Sequence, residues 1–206
     1  MLRILGRITS INVRKAVWAA EEMGLNYERE DWGLPLRDPK VPEFLALNPN
    51  AQVPVLIDGD FVLWESNAIM RYLGEKEPGP AWPQDLRQRA LADQWLTWQA
   101  TELNPQWGYA VQALMRRNPA FNDEARRDES IRNWSARMAI LEGQLERTEA
   151  YVAGKDFTLA DIALSLSVHR WFSTPFVHPY LPQVAAYYER CKARPAGARY
   201  LTEATP

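Results

Sequence analysis

The stretch "GEKEPGPAWPQD", residues 74 to 85, divides the chain more sharply than any other feature. Three prolines and two glycines within twelve residues rule out a continuous helix or strand there. The spacing of apolar residues also changes across it. Before it, short runs suited to strands alternate with helical periods; after it, every periodic segment is helical. With 206 residues, 47% of them apolar, the chain has material for two small cores side by side. The expected organisation is therefore an α/β domain over residues 1–76, a linker over 77–86 and an all-helical domain over 87–206.

In the first part, "LRIL" at residues 2 to 5 reads as a buried strand and "GRITSIN" supplies turn and cap chemistry. Val13, Val17, Ala20 and Met23 then share one side of a helix that Gly24 ends, which leaves Arg14 and Lys15 facing solvent. "NYERED" predicts a second strand, and Pro42 opens a short helix over "PEFLAL". "PVLI" and "FVL", joined through "DGD", predict a tight antiparallel hairpin. A helix from about Ser66 to Glu75 follows it. The order β-α-β, connecting helix, β-β-α implies a mixed four-stranded sheet with helices packed on it.

In the second part, Ile131, Trp134, Met138, Leu141, Leu145, Thr148 and Val152 form a narrow helical seam. Its expected partner is a long helix from Leu86 through Trp95 and Trp98, bent or interrupted at Pro105. "FTLADIALS" places Thr158 and Asp161 in the spacing of a reciprocal N-cap, with Phe157 set to staple against Ile162. Val184, Tyr187, Tyr188 and Cys191 line one side of a last helix.

A net charge of −2 and the lack of any basic run argue against nucleic acid and anionic membrane as partners. No apolar stretch approaches the roughly 20 residues that span a bilayer, and "MLRILGRITS" is too short in apolar length for a secretory signal. A soluble, cytoplasmic protein is expected. Cys191 is the single cysteine, so an internal disulfide is excluded and the thiol reads as a core residue. Neither His169 nor His178 has metal-ligand spacing, and no metal is expected. Nine tryptophans, most of them from position 82 onward, direct the search for an apolar pocket to the second part.

Two places carry candidate chemistry. At the first strand-to-helix junction, Thr9, Ser10 and Asn12 stand where open backbone N–H groups favour an anion such as a thiolate; the same residue types also serve as ordinary caps. Val53-Pro54, at the mouth of the hairpin, is either an edge proline or a cis peptide. The cis form would turn the Val53 backbone outward as an open strand edge, able to accept an extended peptide.

"GRITSINVRKAVW", "NPNAQVPVLIDGD", "WESNAIMRYL" and "FTLADIAL", in that order and at those spacings, resemble the cytosolic glutathione transferases over essentially the full length. The resemblance implies a thioredoxin-like N-terminal domain followed by an all-helical bundle, with glutathione as co-substrate. It also implies a cis Val53-Pro54 bond whose valine backbone pairs with the cysteinyl part of glutathione. Glu65 and Ser66 would hold the γ-glutamyl end, Glu65 taking the ammonium and Ser66 with the helix N-terminus the carboxylate. Ser10 matches the position whose hydroxyl meets the sulfur, and Asn12 matches a second donor. Two features depart from the family pattern. No cysteine stands in the first loop, and Gln52 replaces a frequent lysine that would pair with the glycyl carboxylate. A small apolar electrophile is the implied second substrate, placed between the domains over the Ser10 loop, with Trp107, Tyr109, Trp171 and Phe172 as candidate walls. A homodimer is implied as well. A glutathione-dependent peroxidase or disulfide reductase, and a non-catalytic binding protein on the same fold, are the alternatives.

Overall fold

The two central strands, β1 (Leu2–Leu5) and β3 (Val55–Asp58), pair antiparallel in a computed structural model that describes residues 1–201. β2 (Tyr27–Glu30) lies parallel to β1 on one edge, and β4 (Phe61–Trp64) lies antiparallel to β3 on the other, giving the order β2-β1-β3-β4. The mixed sheet follows from the connections: a helix crosses between β1 and β2, whereas the two residues Gly59 and Asp60 close the β3–β4 hairpin. Neighbouring residues on a strand face opposite sides, so Leu5 and Val55 join Trp32 and Phe44 in one cluster while the paired Ile4 and Leu56 are buried on the other side.

α1 (Ile11–Glu22) packs on β1 and on α3 (Ser66–Lys76), and α2 (Pro42–Leu45) brings Phe44 to the first cluster. The hairpin tip holds α3 in register. Asp58 accepts from Tyr72 Oη at 2.6 Å and pairs with Lys76 Nζ at 2.7 Å, and these two partners hold its carboxyl below the ordinary range. Arg14 and Lys15 depart from the expectation. Both are buried, Lys15 to 1% exposure, because α1 is enclosed on more sides than its apolar spacing indicates.

The described chain forms two units, one through Pro83 and one from Gln84. Much of the stretch expected to be a linker belongs to the first unit. Trp82 is buried with its indole against Gly74, where a Cβ would come within 2.6 Å of the ring, and its Nε1 donates to Glu75 Oε1 at 2.8 Å. The bulk of the tryptophan outweighs the loop-forming composition around it. The last five residues of the expected 87–206 domain lie outside the described residues.

The second unit is helical. α4 (Leu86–Trp98) is capped by Asp85 and runs into a π-helical turn, Gln99–Leu103, before α5 (Asn104–Ala110). Pro105 sits at the start of α5, where its missing N–H interrupts the regular ladder. A second π-helical turn, Val111–Met115, follows. α6 (Glu124–Thr148) packs mainly on α5 and α8 (Pro182–Lys192), with Trp134, Met138, Leu141 and Leu145 buried. The expected seam runs one turn too far: Glu149 turns left-handed at φ 57°, so Val152 is buried from a loop. α7 (Leu159–Ser173) is buried along most of its length, and α9 (Pro195–Tyr200) closes the described fold. No described helix is long and apolar enough to cross a membrane.

Asp161 at the start of α7 carries the capping box. Its carboxylate accepts from Thr158 N at 2.8 Å, Thr158 Oγ1 at 2.9 Å, Val152 N at 3.0 Å and Tyr187 Oη at 3.1 Å. Complete burial raises its pKa from 3.8 to about 6 against the opposing pull of these bonds. Asp161→Ala strands four donors in the core and should cost about 3–5 kcal/mol by denaturant unfolding. The raised value also has a sign. Between 3.8 and about 6 the native state binds more proton here than the unfolded chain, so this contribution to stability fades as pH rises through about 6. The stability gap between the parent and Asp161→Asn should therefore be wider at about pH 5 than at about pH 7.5, and equal gaps would contradict the assignment. Gly74→Ala should lower stability by about 1–3 kcal/mol through the clash with Trp82.

Candidate functional site

The β3 ladder begins at Val55, leaving the Val53 backbone beyond the paired strand. The Val53-Pro54 peptide is cis. At Gly6 the end of β1 comes close to two other parts of this region: a Cβ there would meet a Val13 methyl at 2.3 Å and Val53 Cβ at 3.2 Å. The loop before Val53 is held from beneath by Asn48, which is 2% exposed. Asn48 Nδ2 donates to the Gln52 carbonyl at 2.8 Å, and Asn48 Oδ1 accepts from Asn50 N and Asn50 Nδ2, each at 3.0 Å. One buried carboxamide thus fixes where Gln52 and Val53 stand.

α3 begins beside this loop. Its cap, Glu65, has φ 78° and ψ 115°, a costly conformation for a residue with a side chain. Glu65 Oε2 accepts from Asn67 N at 2.9 Å and Ala68 N at 3.2 Å, offsetting part of that cost. Ser66 is buried, and its hydroxyl donates to Asn12 Oδ1 at 3.4 Å. With Oδ1 engaged as acceptor, the Asn12 Nδ2 group is left to donate elsewhere. Behind these residues Lys15 Nζ donates to Asn67 Oδ1 at 3.1 Å, joining α1 to α3.

Together these elements enclose a cleft of about 320 Å³. Asn12, Gln52, Val53, Pro54, Glu65 and Ser66 line it, as do Asn48, Asn50 and the half-exposed Trp64. Trp64 opens the quoted motif "WESNAIMRYL" but carries no expected role there; its register opposite Val55 at the hairpin's open end places it at the rim. Asn48 and Asn50 lie within a quoted motif, yet their roles depend on side-chain bonds that spacing does not reveal. Ser10 stands outside this lining. It is the N-cap of α1, and its hydroxyl makes no bond to the helix.

The aromatic walls expected from Trp107 and Trp171 need correction. Both are buried within the helical unit, where each ring meets Trp134 edge-on, at 5.6 and 4.9 Å between centroids. Rings with this much area are spent on the core, so they offer no face to a ligand. Tyr109 stacks edge-on with Phe121 at 5.0 Å and lies under the Arg126 guanidinium; its hydroxyl accepts from Asp123 N at 2.9 Å. Phe172 is half-exposed and leans on Tyr188. His169 and His178 are both engaged, with Tyr188 Oη and the Trp171 carbonyl respectively. Cys191 is fully buried, and burial pushes its thiol well above the ordinary range.

A cleft that combines an open backbone edge, a carboxylate and a helix N-terminus suits a small peptide carrying its own ammonium and carboxylates. Comparison with known proteins agrees. Residues 2–75 match the family model for the glutathione S-transferase N-terminal domain, and residues 106–195 match that for the C-terminal domain. Glutathione S-transferase GstB of Escherichia coli is 32% identical over 202 residues, 95% of each chain. Glutathione S-transferase 4 of Zea mays is 33% identical, over 95% of this chain and 89% of its own. Among solved structures, the theta class glutathione S-transferase of Xanthomonas axonopodis pv. citri with glutathione bound superposes at a TM-score of 0.93. It shares 36% identity over 100% of this chain and 99% of that one. Two family models in the proper order, and relatives of this identity at nearly full length, make the chain a member of the glutathione S-transferase family.

Proposed function

We propose that this enzyme binds glutathione in the Val53–Glu65–Ser66 cleft and stabilises its thiolate for attack on a small apolar electrophile. The observation that carries the reading is the convergence of the open Val53 backbone, the α3 N-terminus and the Asn12 amide in one cleft. Val53 pairs with the cysteinyl residue as an added strand would. Glu65 takes the γ-glutamyl ammonium, while Ser66 and the N-terminus of α3 take the adjacent carboxylate. That placement points the thiol toward the start of α1. There the Asn12 Nδ2 group and the unengaged Ser10 hydroxyl are available as donors.

An ordinary thiol has a pKa near 8.5, so one or two donors at a helix N-terminus, each contributing about 1–2 kcal/mol, bring it to neutral pH. The thiol proton leaves to solvent. The sulfur lone pair then forms the S–C bond as the leaving group departs with its bonding pair, and no covalent enzyme intermediate is needed. The absence of a reactive protein thiol among the described residues supports chemistry on bound glutathione, since Cys191 is buried with a raised pKa. Homodimerisation and a cytoplasmic location complete the reading, both on the family resemblance.

Retention on immobilised glutathione and release by free glutathione test the binding step; no retention and no thermal shift at millimolar ligand would overturn it. Asn12→Ala should raise the pKa of bound glutathione by about one unit, read from ultraviolet thiolate absorbance against pH. Ser66→Ala should weaken glutathione binding about tenfold with a smaller effect on that pKa. A panel of apolar electrophiles run beside organic hydroperoxides and a small disulfide separates conjugation from peroxidase or reductase activity.

A further inference from the structure

The turn that carries Ser10 is fastened by arginine side chains. It runs from Arg7 to Ser10, between β1 and α1. Arg7 N donates to the Trp32 carbonyl at 2.8 Å and Ser10 N donates to the Arg7 carbonyl at 3.1 Å, which holds both ends of the turn. In its middle, Thr9 Oγ1 accepts from Arg7 Nη1 at 2.8 Å, and the Ile8 carbonyl accepts from Arg14 Nε at 2.9 Å. The Ser10 hydroxyl has no part in this fastening, since it makes no bond to the helix it caps.

Arg14 is 5% exposed and grips the turn at two points. Its backbone N–H reaches the Ser10 carbonyl at 3.0 Å, and its side chain reaches the Ile8 carbonyl two residues earlier. The backbone between those points cannot turn without breaking one of the bonds. A serine hydroxyl stands one bond beyond Cβ, so where it can aim is set almost wholly by that backbone. At 5% exposure water has little room to take the place of Nε, and losing the donor leaves the Ile8 carbonyl to turn toward another partner.

We propose that Arg14 is a positioning residue for the thiolate: its Nε–H, by holding the Ile8 carbonyl, aims the Ser10 hydroxyl at the glutathione sulfur. The proposal rests on the glutathione reading above, with Ser10 as a donor to the sulfur. The hydrogen bond at Nε is the agent, and the charge of the guanidinium is not required.

Two substitutions separate the bond from the charge. Glutamine carries its amide nitrogen at the same chain position as arginine Nε, so Arg14→Gln keeps the donor and discards the charge; Arg14→Met puts a methyl carbon there and discards both. Whatever else the guanidinium touches is lost equally in the two. The readout is the pKa of bound glutathione, from ultraviolet thiolate absorbance against pH on the full-length protein, with thermal unfolding as the check on folding. Arg14→Met should raise that pKa by about one unit, and Arg14→Gln should stay within about 0.3 unit of the parent. Adding Arg14→Met to Ser10→Ala should shift it no further than Ser10→Ala alone, because the effect passes through that hydroxyl. Arg14→Lys, with a methylene at the Nε position, is the second variant if Arg14→Met is poorly folded, and its pKa should move in the same direction. An unchanged pKa in the folded Met or Lys variant overturns the proposal, as does a Gln variant that behaves like Met, or a full additive shift in the double variant. Each of these leaves glutathione binding standing, whereas a parent protein that binds no glutathione overturns this inference and the glutathione reading together.

Discussion

The buried hydrogen bond from Lys15 Nζ to Asn67 Oδ1 ties α1 to α3 next to the residues that line the cleft. A lysine at 1% exposure is costly to desolvate, so the packing of the two helices depends on its hydrogen-bond partners. Once they are, Asn12 on the first turn of α1 and Ser66 on the first turn of α3 come within 3.4 Å. Two helix N-termini thereby open toward the same space, and their positive dipole ends favour negative charge there.

The opposite wall depends on a different kind of device. Asn48 uses both ends of its carboxamide on the loop that carries Asn50 and Gln52, so the backbone before the sheet is held by a side chain. Strand pairing then takes over at Val55. The result is an edge at Val53 next to a strained cap at Glu65, whose local cost is sustained by the sheet and helices behind it. The chemistry we propose for this frame is modest: hold a tripeptide, lower one thiol pKa and let the sulfur attack. The protein's own thiol is sealed in the helical unit beside Tyr187 and Asp161.

The helical unit has its own anchor in Asp161, whose carboxylate joins the α7 cap to Val152 in the preceding loop and to Tyr187 on α8. Its aromatic residues serve cohesion. Trp107, Trp134 and Trp171 form an edge-to-face set, the arrangement their ring quadrupoles favour, which explains why a tryptophan-rich stretch yields a core instead of a pocket wall.

What the sequence by itself determined was whatever depends on near neighbours. The hairpin at Asp58-Gly59-Asp60, the end of α1 near Gly24, the capping box of Thr158 and Asp161, the interruption at Pro105 and the division near Pro83 all rest on local backbone geometry and spacing. The motifs that carry Val53, Glu65 and Ser66 were legible in their order, and the structure brings these three residues to one cleft. Tertiary structure alone decided the burial of Arg14 and Lys15, the packing of Trp82 on Gly74, the pin at Asn48, the place of Trp64 at the cleft rim and the core role of Trp107 and Trp171. The physical reason is common to all of them. Whether a long or polar side chain faces water depends on which distant segments pack around it, and spacing along the chain carries no record of those segments.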